Sequence, residues 1–279
     1  MERIRKALEL AREEREQARR QRPDAPAATA SEACAVPAAG QAPAAWLQTR
    51  GRSVPVNFHN LRAAHLLLPD LSGPAALSFE RLRTQVVQRL TERGWNTLAV
   101  IGPGRAEGKT FTAINLAIAI AADPQSRALL VDLDLRAPSV HRHFGFDPAR
   151  GVDDCLRGEA TLSVALVRPE GYPRLRLLPV RSAVEQPSEL LASSRARELF
   201  AELRPRDPGQ YLIYDSPPLI DRDDAAGFVR TADAALVVIG DNRTRRDELQ
   251  RCVERLRGIP VVGSVLNGAR NDYGAAQAP

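Results

Sequence analysis

Lysine is nearly absent from this chain. Of its 39 basic residues only Lys6 and Lys109 are lysines. A lysine that persists at one position of a Gly-containing loop marks a place where a compact ammonium fits and a planar guanidinium does not. Aromatic residues are scarce too, at 5%. That excludes an aromatic-rich core and leaves an aliphatic, Ala-rich one, which suits an α/β fold with parallel strands of Val, Leu and Ile. Cysteine is limited to Cys34, Cys155 and Cys252. Three distant thiols form no disulfide framework and show no metal-ligand spacing. There is no run of about eighteen apolar residues, so no membrane span is expected. The opening "MERIRKALELAREEREQARR" is charged throughout and does not read as a signal peptide. These absences point to the cytoplasm. The net charge of +5 is mild for 279 residues. No aromatic-interleaved basic patch accompanies it, so no nucleic-acid partner is expected.

What is present changes character along the chain. Residues 1–21 read as a charged helix, with Ile4, Ala7, Leu8 and Ala11 on one narrow face. Residues 22–74 are Pro/Ala-rich with few bulky apolar residues and read as a flexible linker. From residue 75 to 273, strand and helix patterns alternate. The predicted strands are 97–102, 127–134, 174–180, 210–215, 234–240 and 260–267. The predicted helices lie near 77–93, 108–122, 188–204, 222–231 and 243–257. Short aliphatic strands separated by helices predict a doubly wound, mostly parallel sheet with helices on both faces. Residues 274–279 form a short tail.

Three stretches carry chemistry. The first, "GPGRAEGKT" (102–110), links a predicted strand to a predicted helix, the context a phosphate loop requires. Backbone amides and the helix N-terminus would face phosphate oxygens. Lys109 would reach the β- and γ-phosphates, and Thr110 would place its hydroxyl on Mg²⁺. Pro103 stands where the usual first glycine would be, the position farthest from the phosphates. The second, "ALLVDLDLRAPSVHRHFG", puts Asp132 and Asp134 at the C-terminal end of a strand, where they share a face. Ligands of doubly wound sheets bind at that end. The third, "QYLIYDSPPLIDRDDA", runs a strand straight into Asp215, an acid placed to support Mg²⁺.

With "PSELL" (187–191) and "VVGSVLN", these motifs recur in the same order in bacterial tyrosine kinases of the capsular and exopolysaccharide type. Those are P-loop NTPases related to the partition and septum-site ATPases, and the resemblance spans about residues 75–273. The opening "MERIRKALELAREE" resembles the free-standing cytoplasmic subgroup found with exosortase or exopolysaccharide loci. The resemblance implies an ATP- and Mg²⁺-dependent protein-tyrosine autokinase that regulates polysaccharide polymerisation and export. Its implied partner is a membrane chain-length determinant, with self-association and a place at the inner membrane through that partner. It implies that Lys109, Asp132, Asp134 and Asp215 are catalytic, with one of the two acids at 132 and 134 acting as base toward tyrosine. Gly104, Arg105, Ala106, Glu107, Gly108, Lys109, Thr110, Phe111 and Asn267 would bind the nucleotide, Asn267 through adenine. Thr110, Asp132 and Asp215 would hold the metal. The role of Arg136 stays open.

The departures from the family pattern are specific. Arg105-Ala106 stands in place of the usual Pro-Gly, so Ala106 must adopt a backbone conformation that glycine takes more easily. Gly104 stands where partition ATPases carry a signature lysine, which separates this chain from that DNA-segregating branch. Only Arg83 of the E-x-x-R-x-x-R oligomerisation motif is kept, with Leu77 and Glu80 at the other two places. The tail has one tyrosine, Tyr273, where the family has a cluster, and Tyr273 is the phosphosite candidate. The short tail leaves a second reading open: an ATP-binding or ATP-hydrolysing switch on the same membrane partner, without kinase output.

Overall fold

The computed structural model describes residues 51–71, 76–220 and 226–269. The N-terminal helix, residues 22–50 of the linker, Tyr273 and the tail lie outside them. The described chain opens with strand β1 (Arg52–Val54) and helix α1 (Phe58–Ala63). Helix α2 (Ala76–Thr91), strand β2 (Thr97–Ile101), helix α3 (Lys109–Ala122) and strand β3 (Arg127–Asp132) follow. Three short helices come next: α4 (Val140–Phe144), α5 (Val152–Arg157) and α6 (Leu162–Ala165). Strands β4 (Val167–Pro169) and β5 (Leu175–Leu178) lead to helices α7 (Pro187–Ala192) and α8 (Ser194–Leu203). The rest is β6 (Gln210–Asp215), α9 (Ala226–Val229), β7 (Ala234–Gly240), α10 (Arg246–Arg255) and β8 (Val261–Asn267).

The strands form one sheet in the order β1-β4-β5-β3-β6-β2-β7-β8. Every pairing is parallel except β4 with β5. Strands β2, β3 and β6 lie in the middle of the sheet and are covered on both faces, which is why they read as unbroken aliphatic runs. Alternate residues feed two apolar layers. Leu98, Val100, Leu130 and Ile213 pack with α2 and α3 in one layer. Ala99, Ile101, Leu129, Val131 and Leu212 pack with α5 and α8 in the other. Helix α3 is buried along nearly its whole length. Its sequence "INLAIAIAA" suits this, being apolar all round with alanines that permit close approach. No helix among the described residues is long and apolar enough to cross a membrane.

The linker expected over 22–74 is corrected at its C-terminal end. Strand β1 pairs with β4, and α1 is capped by Asn57, whose side chain accepts the amides of His59 and Asn60 at 3.1 Å. Leu61, Leu66 and Leu67 are buried. The Leu67 amide donates to the Asn115 side chain at 2.7 Å, and its carbonyl accepts the Tyr172 hydroxyl at 2.8 Å. These few apolar residues have no helical or strand period of their own, and contact with α3, α4 and β4 orders them. Strand β4 and helices α4 to α6, three to six residues long, are too short to leave a period in the sequence. The helix expected over 188–204 is two helices, broken at Ser193, whose hydroxyl oxygen caps α8 by accepting the Ala196 amide at 3.0 Å.

Leu61→Ala tests whether the 51–71 segment belongs to the domain. Loss of a fully buried leucine costs about 2–5 kcal/mol. A urea-denaturation midpoint unchanged by this substitution would return the segment to linker.

Candidate active site

The C-terminal ends of β2, β3, β6, β7 and β8 bring together most of the residues singled out in the sequence. The loop after β2 turns back through Ala106, at φ 58°, and Gly108, at φ 91°, before α3 begins at Lys109. The strained position expected at Ala106 is therefore present. Gly108 is restricted twice over. Its φ is left-handed, and a Cβ there would lie 1.9 Å from the Asn267 side-chain nitrogen. The first helical bond runs from the Thr112 amide to the Gly108 carbonyl at 2.8 Å. The helix amides before it have no carbonyl of a preceding turn to meet, which makes this end an anion cradle. Lys109 is buried, and its ammonium donates to the Gly104 carbonyl, folding back over the loop.

The loop is braced from behind. Glu107 turns its carboxylate inward, away from any phosphate. It accepts the Gly104 amide at 2.9 Å and the Thr244 hydroxyl at 2.6 Å, while the Thr244 oxygen accepts the Gly240 amide at 2.9 Å. Arg243 donates to the Ala106 carbonyl at 3.1 Å. Asn267 donates to the Glu107 carbonyl at 3.0 Å, so its amide nitrogen latches the loop. The Phe111 ring points to α2, edge-to-face with Phe79 at 5.6 Å, so only its backbone can face a nucleotide. Arg105 is exposed at the tip. Two of the bracing residues, Arg243 and Thr244, are not legible from spacing: they follow the fifth strand read from the sequence, and no motif marks them.

The acids converge because the register demands it. Asp132 and Asp215 are paired positions on β3 and β6, and Val100 of β2 flanks Asp215. Both carboxylates are wholly buried. One Asp132 oxygen accepts the Asp134 amide at 3.2 Å, and the other accepts the amides of Ser139 and Val140 at 3.1 and 3.2 Å. Burial pushes its carboxyl up to about 7, assisted by the charge of Asp134 and opposed by the three amides. Asp215 has no hydrogen-bond partner on either oxygen among the described residues. Burial raises it well above the usual carboxylate range, and the Asp132 charge adds to this. The Thr110 hydroxyl and the Lys109 ammonium favour its charged form without reaching bonding geometry. Asp134 is half-buried and accepts the Ala137 amide at 3.2 Å.

Ser139, unremarked in the sequence, lies with its hydroxyl 3.5 Å from that of Thr110. Arg136 donates to the Glu185 carbonyl, and the Val184 amide donates to the Leu135 carbonyl at 2.8 Å. Together these hold the Asp134 segment against the loop after β5. Arg83, the kept residue of the oligomerisation motif, sits 4.0 Å from Asp123, and Leu77 is 69% exposed. Tyr172, Tyr211 and Tyr214 are buried, and burial raises the phenols of Tyr172 and Tyr214.

An unpartnered buried carboxylate beside the Thr110 hydroxyl suits a hard dication, which takes oxygen ligands and keeps several waters. The described residues contain no cluster of three His, Cys, Asp or Glu side chains that could hold a metal unaided. Mg²⁺, usually held by one or two protein oxygens and by the phosphates it accompanies, is such a dication.

No protein-family model matches the chain. It is 30% identical over 202 residues to the tyrosine-protein kinase Wzc of Salmonella typhimurium, covering 71% of this chain and 28% of that one. It is 27% identical over 213 residues to the tyrosine-protein kinase YwqD of Bacillus subtilis, covering 73% of this chain and 88% of that one. Several other curated relatives are matched over only 26% of their length. The fold matches the crystallised kinase domain of VpsO with a TM-score of 0.62 and 26% identity, over 76% of this chain and 97% of that one. A complex of McdA(D38A) with ATP from Cyanothece shares the fold at a TM-score of 0.52 and 20% identity.

Two outcomes follow from the site's geometry. Ala106→Gly removes a left-handed alanine and stabilises the chain by about 1 kcal/mol, read from thermal melts. The raised Asp132 carboxyl contributes stability that is complete below its unfolded value of 3.8 and is lost as pH rises through about 7. In metal-free buffer, Asp132→Asn therefore gains on the parent by about 2–3 kcal/mol between pH 5 and pH 8. Parallel stability profiles for the two proteins would contradict the burial argument.

Proposed function

We propose that this chain, a relative of the bacterial tyrosine-protein kinases in sequence and in fold, is an ATP-dependent protein-tyrosine autokinase. One observation carries the reading. A buried, unpartnered carboxylate, Asp215, stands beside Thr110 and Lys109 at a phosphate-type loop, with the half-exposed Asp134 at the same strand ends.

In this reading the loop amides and Lys109 hold the β- and γ-phosphates, and Lys109 leaves the Gly104 carbonyl to do so. Thr110 and Asp215 would hold Mg²⁺, with Asp132 beside them. Bound Mg²⁺ would neutralise charge on the phosphate oxygens during transfer. Asp134 is the base. Both Asp132 oxygens are occupied by backbone amides and shut off from solvent, whereas Asp134 can reach an incoming hydroxyl. The tyrosine oxygen forms a bond to the γ-phosphorus, the bond to the ADP oxygen breaks, and the phenolic proton passes to Asp134. Catalysis rests on positioning and on preorganised charge, as phosphoryl transfer generally does.

The acceptor is Tyr273. The other three tyrosines are buried, and their hydroxyls would have to leave the core to react. A membrane chain-length determinant of polysaccharide export is the partner in the same proposal, and the chain works at the cytoplasmic face of the membrane beside it. Self-association would deliver the tail of one copy to the site of another.

Incubation with labelled ATP and Mg²⁺ checks this. The parent chain acquires phosphotyrosine at Tyr273. Lys109→Ala and Asp215→Asn lower the rate by at least about 100-fold, in line with the loss of a phosphate or metal contact. Unmodified tyrosine in a preparation that binds ATP would instead favour the switch without kinase output.

A further inference from the structure

The opposite half of the sheet holds a charge arrangement that the nucleotide site does not use. Strands β4 and β5 are antiparallel with Val167 paired to Leu177, so Arg168 and Arg176 flank that pair and the charge of one acts on the other. Alternation puts both on the sheet face away from α3, since Val167 and Leu177 pack into the α3 layer. Arg127 opens β3 on the same face, two residues before Leu129, which lies beside Arg176. Three guanidinium groups thus project from three adjacent strands. Like charges directly opposed on a sheet repel and destabilise it.

Nothing on the described chain offsets that repulsion. None of the three arginines takes part in an ion pair among the described residues. Arg176 and Arg168 are half-buried, and Arg127 is exposed. One terminal nitrogen of Arg176 donates to the carbonyls of Pro173 and Leu175 at 3.1 and 3.2 Å, while its Nε is buried with no acceptor among the described residues. Burial, and then the charges of Arg168 and Arg127, pull the Arg176 guanidinium below its usual range. An Arg-rich surface normally spreads its charges through water. Here two are held close to each other and partly dried.

We propose that Arg127, Arg168 and Arg176 form a binding site for a phosphoryl dianion, carried either on a phosphorylated polypeptide or as free inorganic phosphate. Guanidinium forks match the oxygens of a phosphate bidentately, and a dianion answers two or three cations where a single carboxylate would not. Arg127 lies at the N-terminal end of β3, the end remote from the phosphate loop, so the site is separate from the nucleotide site.

The test is thermal stability of the full chain against inorganic phosphate and phenyl phosphate at constant ionic strength. Arg168→Gln relieves the repulsion, so it melts above the parent in chloride. In saturating phosphate the order reverses, because the variant has lost a ligand contact. Its phosphate affinity falls roughly tenfold, the scale of one charge-assisted hydrogen bond. Lys109→Ala, which removes a phosphate contact of the nucleotide loop, still shows the part of the phosphate response that Arg168→Gln loses. Identical melting of Arg168→Gln and parent in both buffers would overturn the proposal, as would a phosphate response that disappears only in Lys109→Ala. Arg127→Gln, at an exposed position, gives the same reading should Arg168→Gln fail to fold. A phosphotyrosine peptide that binds more tightly than inorganic phosphate assigns the polypeptide source, and equal affinity assigns the free anion. Either result upholds the site.

Discussion

The pairing of β3 with β6 sets Asp132 beside Asp215 at the centre of the sheet, and much else in the molecule answers to that juxtaposition. Two carboxylates brought out of water at adjacent strand ends are costly. Asp132 is offset by three backbone amides, which forces the chain after β3 to curl around it and sets the course of residues 133–140. Asp215 is not offset at all by hydrogen bonds among the described residues. A fold that tolerates such a group holds in reserve an affinity for positive charge, and the Thr110 hydroxyl and Lys109 ammonium lie on the side from which a cation would come.

The phosphate loop depends on a second set of contacts that face away from any ligand. Glu107, Thr244, Arg243 and Asn267 tie it to the ends of β7 and β8. A loop with a left-handed alanine needs such support, because backbone strain persists only where the surroundings over-determine it. The brace also explains why an acidic residue is tolerated where phosphates are expected: its charge is turned into the protein and answered by an amide and a hydroxyl. The Arg168–Arg176 pair is the counterpart on the other half of the sheet. There the unmet charge is positive, and the side chains project from the sheet face away from α3.

Six strands and the phosphate loop were legible from the sequence because each is specified locally. Aliphatic runs of four to seven residues have one stable use in a doubly wound sheet, and a strand that ends in a Gly-rich turn and a helix has a recognisable chemistry. The acids at 132, 134 and 215 could be placed at strand ends for the same reason, and so could the strain at Ala106. The order of those strands could not be read. The sequence runs β2, β3, β6, whereas the sheet sets β6 between the other two, and that choice alone makes Asp132 and Asp215 neighbours.

The parts that escaped reading are those whose order comes from elsewhere in the chain. Residues 51–71 have too few apolar side chains to fold alone, and they become structure by burying Leu61, Leu66 and Leu67 in the layer that α3 and β4 already provide. The inward turn of Glu107 depends on Thr244, 137 residues away. The proposed choice of Asp134 as base depends on three amides that occupy Asp132, whereas Asp134 accepts one and stays half-buried. Sequence by itself determined the chemical types and the strand ends on which they sit, because both follow from local patterns of apolar residues and turns. Tertiary structure decided which of those groups are neutralised, braced or left unpaired, because desolvation and register are properties of neighbours that no local pattern contains.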